Sequence, residues 1–467
     1  MMAISVIDRH LLYMKKNNNS KNPLWTKNFS IITIGTVISM LGNALSGFTV
    51  GLLVLEIANS VLLYAIYNVL YNIPKVLMPT LAGPYLDRFS RRRIIFTLDF
   101  VSALMYMLMF FALTFGVITT SPSSYPLMLI FCVVIGTIDS VYQVAYESLY
   151  PMLITEGNYS KAYSISSMIY PIAALMTPVA AFVYSKFDMS GIRFMFLFNA
   201  LSFFAAAVFE TQIKIDEAQA LAGKEKKEYG FRKFVTDFRD GMAYLTREKG
   251  LLTITSYFFL NTLANAAIGI LLLPYFKSDT TLGVLTYTVI SGVSLFGRVL
   301  GGLYHYKMYI PKDRKFAIAM TVYIVANTIG CIYLFTNFWV MIALQFISGM
   351  ICVTSYNIRI SSTQNYVPNE MRGRFNGAFQ TLMSLGTIIG QLAAGAFCAI
   401  RVGGAELFNP LSEKLAVLHI FGSEIAVTGI QGTRLLVIAF ALIDYIAMFT
   451  IMLPGKKHVS KIYNVDI

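Results

Sequence analysis

The sequence predicts an all-α membrane protein, with twelve transmembrane helices arranged as two pseudo-symmetric six-helix bundles. Three observations carry that expectation. Hydrophobic residues fill 56% of the 467 positions and charged residues only 13%, about half the roughly 25% charge of a soluble domain, so water is not the main solvent of this chain. Twelve stretches are apolar over the about 20 residues that a helix needs to cross a bilayer; they start near Ile31, Val61, Ile94, Pro126, Ala162, Phe194, Leu251, Leu282, Phe316, Phe338, Phe375 and Leu435. Features of the first six stretches also recur in the last six at nearly constant separation.

Residues 1–27 are polar and basic and lack a short apolar region with a cleavage site, so they read as a cytosolic tail and not as a signal peptide. The first bundle is expected over residues 28–209. A linker over 210–250 interrupts the apolar pattern with Lys224-Glu225-Lys226-Lys227-Glu228 and Arg232-Lys233, and the second bundle follows over 251–454. Residues 401–433 form a long final external segment, read as a lid, an interfacial helix or, the preferred reading, a tolerated insertion. Residues 455–467 are a second cytosolic tail. Most of the 37 Lys and Arg fall in segments on the same side as the N-terminal tail, and this positive-inside asymmetry places both termini in the cytosol. The net charge of +13 is thereby explained without a nucleic-acid partner.

The repeat is legible in three places. Leu41-Gly42-Asn43-Ala44 matches Leu263-Ala264-Asn265-Ala266; Gly83, before one basic loop, matches Gly302, before another; Pro151 matches Pro368. Three matches in order at nearly one offset point to a 6+6 architecture built by duplication.

Between the second and third stretches lies Gly83-Pro84-Tyr85-Leu86-Asp87-Arg88-Phe89-Ser90-Arg91-Arg92-Arg93. This resembles the signature loop of the major facilitator superfamily, with Ser90 in place of the usual second glycine. Further likenesses are Ser39-Met40-Leu41-Gly42-Asn43, Ile73-Pro74, Tyr150-Pro151 with Glu156 and Lys161-Ala162, Asp237-Phe238-Arg239-Asp240-Gly241 and Pro368-Asn369-Glu370-Met371-Arg372-Gly373-Arg374. Together they cover residues 28–400 and resemble the branch that contains macrolide-efflux, enterobactin-export and lysophospholipid-transport proteins. The resemblance implies alternating access, with Gly83, Asp87, Arg88 and Arg92 as a conformational latch and Glu370, Arg372 and Arg374 as its counterpart in the second half. Asp87 would accept hydrogen bonds at a helix N-terminus, where the dipole favours an anion.

Charges inside a span default to functional roles. Lys75 lies eight residues before Gly83, about 12 Å into the membrane, and needs a wet cavity or an acid. Asp139 and Asp99 are its candidate partners, with Asp139 preferred, because the resemblance puts the fourth span on the central cavity. Lys75 and Asp139 are accordingly the candidates for proton coupling. Tyr142, Gln143 and Tyr146 follow Asp139 at helical spacing, and with Asn43 and Asn265 they are the candidates for a substrate cavity. Glu147 reads as interfacial, and Asp444, near the centre of the last span, receives no role.

Cys132, Cys331, Cys352 and Cys398 are scattered through spans, and the four histidines are equally dispersed. Neither set has metal-ligand spacing, and no phosphate-binding Gly-x-x-x-x-Gly-Lys-Ser/Thr loop occurs. No cofactor or metal is expected, and ATP is not the expected energy source. The reading that results is a monomeric, proton-driven exporter of a small amphipathic compound in a bacterial-type plasma membrane, its partners being that substrate, protons and membrane lipids. The alternatives are a lysophospholipid or siderophore transporter of the same fold and, from another class, a membrane sensor that binds without transporting.

Overall fold

The computed structural model describes residues 23–86, 89–155, 158, 162, 165–166, 169, 172–215, 231–279, 283–307, 312–402, 405–412, 414–420 and 423–463. Its helices are α1 (Lys27–Ala58), α2 (Val61–Leu86), α3 (Arg91–Thr114), α4 (Tyr125–Leu149), α5 (Met176–Glu210), α6 (Phe231–Arg247), α7 (Lys249–Ser278), α8 (Gly283–Lys307), α9 (Lys315–Ile332), α10 (Phe338–Tyr366), α11 (Asn369–Cys398), α12 (Gly429–Ala447) and α13 (Lys456–Tyr463). Hydrocarbon offers the backbone no water to bond, so a spanning segment must satisfy its own N–H and C=O groups as a helix. Side chains close several of the helix starts. Thr26, Ser90, Asn337 and Thr428 each accept a hydrogen bond from the N–H three residues on, the standard N-cap arrangement. Ser90 thus departs from the signature loop in a way that starts α3.

Eleven described stretches are long and apolar enough to cross a membrane, and one of them runs from Ile172 to Glu210. That stretch contains two crossings. At Asp188 the backbone leaves the helix (φ 44°, ψ −128°), and a Cβ placed on Gly191 would lie 2.8 Å from the carbonyl oxygen of Val183. Eight residues along one straight helix span about 12 Å, so the chain reverses here. The sixth crossing begins at Met189, earlier than the expected Phe194, and the total is twelve.

Within the first half α1 and α3 pack on α5, and α2 packs on α4; within the second half α8 packs on α10, and α7 on α11 and α12. The main helix pairs between the halves are α2 with α11 and α5 with α8, as a pseudo-two-fold axis requires. The molecule has two distinguishable ends. The linker end carries Ser90, Thr211 and α6; the hairpin end carries the segment between α11 and α12. Near the linker end the halves keep separate cores, one around Phe29, Tyr150 and Ile154, the other around Tyr257, Phe375 and Tyr463. Toward the hairpin end a single core joins them, running from Leu45 to Ile57 of α1 through Ala264 to Phe276 of α7 and on to Phe440 of α12.

Three segments differ from their expected character. The stretch after α11, preferred as a tolerated insertion, pairs as β1 (Arg401–Val402) with β2 (Ala405–Glu406) and β3 (Ala416–Ile420) with β4 (Ser423–Val427), both antiparallel. It is docked on α12: Thr433 Oγ1 donates to the Phe408 carbonyl at 2.9 Å, and the Leu407 carbonyl sits where a side chain on Gly432 would have to go. The C-terminal tail is no free tail either, because α13 buries Val459, Ile462 and Tyr463 in the core of the second half. The linker contains the amphipathic helix α6, and Glu210, assigned to its first position, is instead the fully buried last residue of α5.

Candidate functional site: an amide-lined cavity between the halves

The cavity of about 450 Å³ between the halves is lined by Tyr64 and Asn68 of α2, by Asn261, Thr262, Asn265, Ala266, Gly269 and Ile270 of α7, and by Thr387 and Gln391 of α11. No ionisable acid or base is among them. The asparagines form short ladders on their own helices: Asn68 Nδ2 donates to the Tyr64 carbonyl, Asn72 Nδ2 to that of Asn68 and Asn265 Nδ2 to that of Asn261, each at 2.8 Å. An amide that donates down its own helix keeps its side-chain oxygen as an acceptor for something else. Of the expected cavity residues, Asn265 lines the space, whereas Asn43 is half-buried on α1 and is not part of the wall. The sequence reading missed Asn68 and Asn261. Their signal was a four-residue spacing, Tyr64-Asn68-Asn72 and Asn261-Asn265, which marks one helical face.

Behind the cavity wall stands a buried acid. Asn261 donates through Nδ2 to Asp444 Oδ2 at 2.7 Å, and Tyr257 and Asn327 face the same carboxylate. Asp444 therefore fixes the rotamer of a cavity residue, a positioning role invisible from its place in the last span. Nearby on α10, Arg359 lies over the rings of Phe258, Tyr356 and Phe379 at 4.7, 5.3 and 5.0 Å. Each ring face attracts the guanidinium.

Lys75 and Asp139 are brought to one tyrosine, Asp139 at its hydroxyl and Lys75 over its ring. Tyr71 donates its hydroxyl to Asp139 Oδ2 at 2.6 Å, and the Lys75 ammonium stands 4.1 Å from the centre of the Tyr71 ring. The tyrosine between them lies one turn before Lys75 on α2. Asp99, the other candidate partner, is engaged elsewhere. It meets Glu210 and Tyr142 inside the first half, with Tyr142 donating to Glu210 Oε1 at 3.4 Å.

Tyr142 and Tyr146 are corrected by the structure. Both are buried in the linker-end core of the first half, where Tyr146 stacks on Tyr142 and on Tyr150. Gln143, about 100° round the helix, is exposed and donates to Glu147 at 2.6 Å. The spacing was helical, but the face it marked holds bundle to bundle-core contacts and not the cavity.

Of the expected latch, Asp87 and Arg88 lie outside the described residues, as do the surroundings of Gly83 and the side chain of Glu370. Arg92 donates to the Thr211 carbonyl, within its own half. Arg372 turns back to the Val367 carbonyl at 3.4 Å. Arg374 pairs with Asp237 at 3.2 Å and Asp240 at 3.5 Å, both on α6. Its partners are thus on the linker helix, which packs so closely that the Arg374 carbonyl meets Gly241. At the hairpin end, in contrast, ion pairing does cross between halves. Lys277 of α7 meets Glu56 of α1 at 2.9 Å, and Tyr184 donates to the same Glu56 oxygen at 2.7 Å. Phe48 stacks on Tyr287 close by.

Residues 32–391 match the sequence profile of the Major Facilitator Superfamily. The MFS-type transporter YkuC of Bacillus subtilis (strain 168) is 22% identical over 366 residues, 75% of this chain and 81% of the relative. Two solved structures are similar in fold. The nucleoside transporter NupG superposes with a TM-score of 0.65 at 15% identity, covering 92% of this chain and 100% of that one. A bacterial homologue of the human lysosomal transporter Spinster, inward-facing and occupied, superposes with a TM-score of 0.64 at 14% identity, covering 94% and 98%.

Proposed function

Because the chain belongs to the major facilitator superfamily, we propose that this membrane transporter carries a small, uncharged amphipathic solute by alternating access, outward and at the expense of the proton gradient. The observation that supports this reading is the cavity. It sits between two halves that share a core at one end and not at the other, and its wall offers amides, hydroxyls and a tyrosine ring but no charge. Such a wall suits a solute with both donors and an apolar face, since a charged one would enter without a counter-charge.

In this reading the basic clusters, by the positive-inside tendency, favour the linker end and both termini on the cytosolic side of a plasma membrane. The hairpin end then faces outward, and the arrangement described is the one closed to the outside. Lys75 and Asp139, joined through Tyr71, are the coupling pair in this reading. The loop from Gly83 through Asp87, Arg88 and Arg92 serves as the cytosolic latch when the opposite opening forms.

Counterflow into proteoliposomes tests the proposal, with a panel of nucleosides, macrolides, lysophospholipids and siderophores preloaded in turn. Accumulation of labelled solute against its unlabelled form is the expected result for at least one of them, and Asp139→Asn is expected to lose the dependence on an imposed pH gradient. Saturable binding without any flux would turn the reading into a sensor.

A further inference from the structure

The coupling pair leaves unused a second acid site, Asp99 and Glu210 in the first half. Asp99 is 1% exposed and Glu210 0%, and each is among the groups that the other's carboxyl faces. Asp99 Oδ2 and Glu210 Oε2 are both buried without a donor. The elements packed around them bring little that could neutralise two charges. From α4 come the Tyr142 hydroxyl, 3.4 Å from Glu210 Oε1, and the further acid Asp139. From α1 come Gly35, whose added Cβ would lie 3.3 Å from Glu210 Oε1, and Thr36, whose hydroxyl donates to the Ile32 carbonyl at 2.7 Å. On α3 itself Arg92 donates to the carbonyl of Thr211, the residue after Glu210, and Arg91 is buried near the start of the helix.

We propose that Asp99 and Glu210 are a proton-binding site in which the two carboxyl groups share one proton. A single O–H between the two carboxyl groups gives the pair a donor that its surroundings do not supply, and it removes one of two like charges that a low-dielectric interior cannot hold side by side. A metal ion fits the place less well, because hard cations take about six or more oxygens and the Thr36 and Tyr142 hydroxyls are directed elsewhere or already donating. The protons of such a pair belong to the pair and not to either residue. Use of this proton in coupling rests on the carrier reading above; its presence does not.

The test is infrared difference spectroscopy of the full chain in lipid nanodiscs near neutral pH. Subtracting the double variant Asp99→Asn/Glu210→Gln from the wild type is expected to reveal one protonated-carboxyl carbonyl band and one carboxylate lost together. Either single substitution puts an amide N–H in place of the shared proton, so each is expected to remove the acid band by itself, while Asp444→Asn leaves it. Loss of two carboxylates with no acid band, loss of two acid bands, or carboxylate bands that move on adding sodium would each overturn the proposal. The two readings fail separately: an acid band in protein that shows no counterflow removes the carrier, and counterflow without the band removes this site.

Discussion

The two ends of the molecule are held together in different ways. Toward the hairpin end the halves share one apolar core, approach so closely that a Cβ on Gly395 would lie 2.8 Å from Ala65 Cβ and 3.0 Å from Leu62 Cα, and exchange the Glu56–Lys277 ion pair. Near the linker end the described residues form separate cores, and among the described charges Arg92 bonds to the first half and Arg374 to the linker helix. A body joined at one end and self-contained at the other can rock without unfolding either half. The difference also locates the barrier to solute, which lies where the cores merge.

Four experiments break or sharpen that contrast, in descending order of effect. Ala65→Cys with Gly395→Cys, in a background lacking the four native cysteines, is expected to cross-link on oxidation and to reduce counterflow to background, with recovery on reduction; undiminished flux in the cross-linked protein would mean that the hairpin end never parts. Gly395→Leu forces several atoms into the α2–α11 contact, an overpacking that costs about 1–3 kcal/mol. It is expected to raise labelling of a cysteine at Asn265 from the hairpin side, and unchanged labelling counts against the merged core as the gate. Glu56→Gln and Lys277→Met, singly and together, are expected to give a coupling of about 1 kcal/mol or less in a double-mutant cycle read by the same labelling. Arg374→Ala removes two half-exposed ion pairs worth a few tenths of a kcal/mol each; hydrogen exchange is expected to speed up in α6 and to stay unchanged in α1.

A second comparison lies inside the halves. The third and sixth crossings of each half enclose a buried acid group: Asp99 and Glu210 in the first, with Tyr142 of the fourth crossing beside them, and Asn327 and Asp444 in the second, with Tyr257 and Asn261 of the seventh. The second acid has neutral neighbours, and through the Asn261 bond it orients that residue at the cavity. The first has another acid where the second has amides. Duplication preserved the place and let its contents diverge, so one half holds a scaffold for the binding wall and the other a site for a proton.

Much of the architecture was legible because lipid imposes it. Apolar length and positive clusters mark crossings whatever the packing, and the repeat offsets survive loop insertion. The boundary at Asp188 was not legible, because an acid at an irregular turn has no apolar signature and the stretch on both sides reads as continuous. The cavity was half legible. Asn265 could be placed by the repeat, but its partner Asn43 could not, since burial differs between helices that share an ancestry. Tyr142 and Tyr146 show the limit of periodicity: it says which side chains share a face, and only the neighbouring helices decide whether that face meets solute or core. Asp444 and Glu210 needed the tertiary structure outright, for each acquires its meaning from a residue more than 100 positions away.

The helix α13 fills a notch in the second half. Ile462 and the His458 carbonyl press against Gly250, leaving no room for a β-carbon there. Six crossings of that half can therefore be inserted while its interior is still open, and the final residues close it like a stopper. An affinity tag belongs beyond Tyr463, and a chain cut before Lys456 is expected to reach the membrane yet be cleared by quality control.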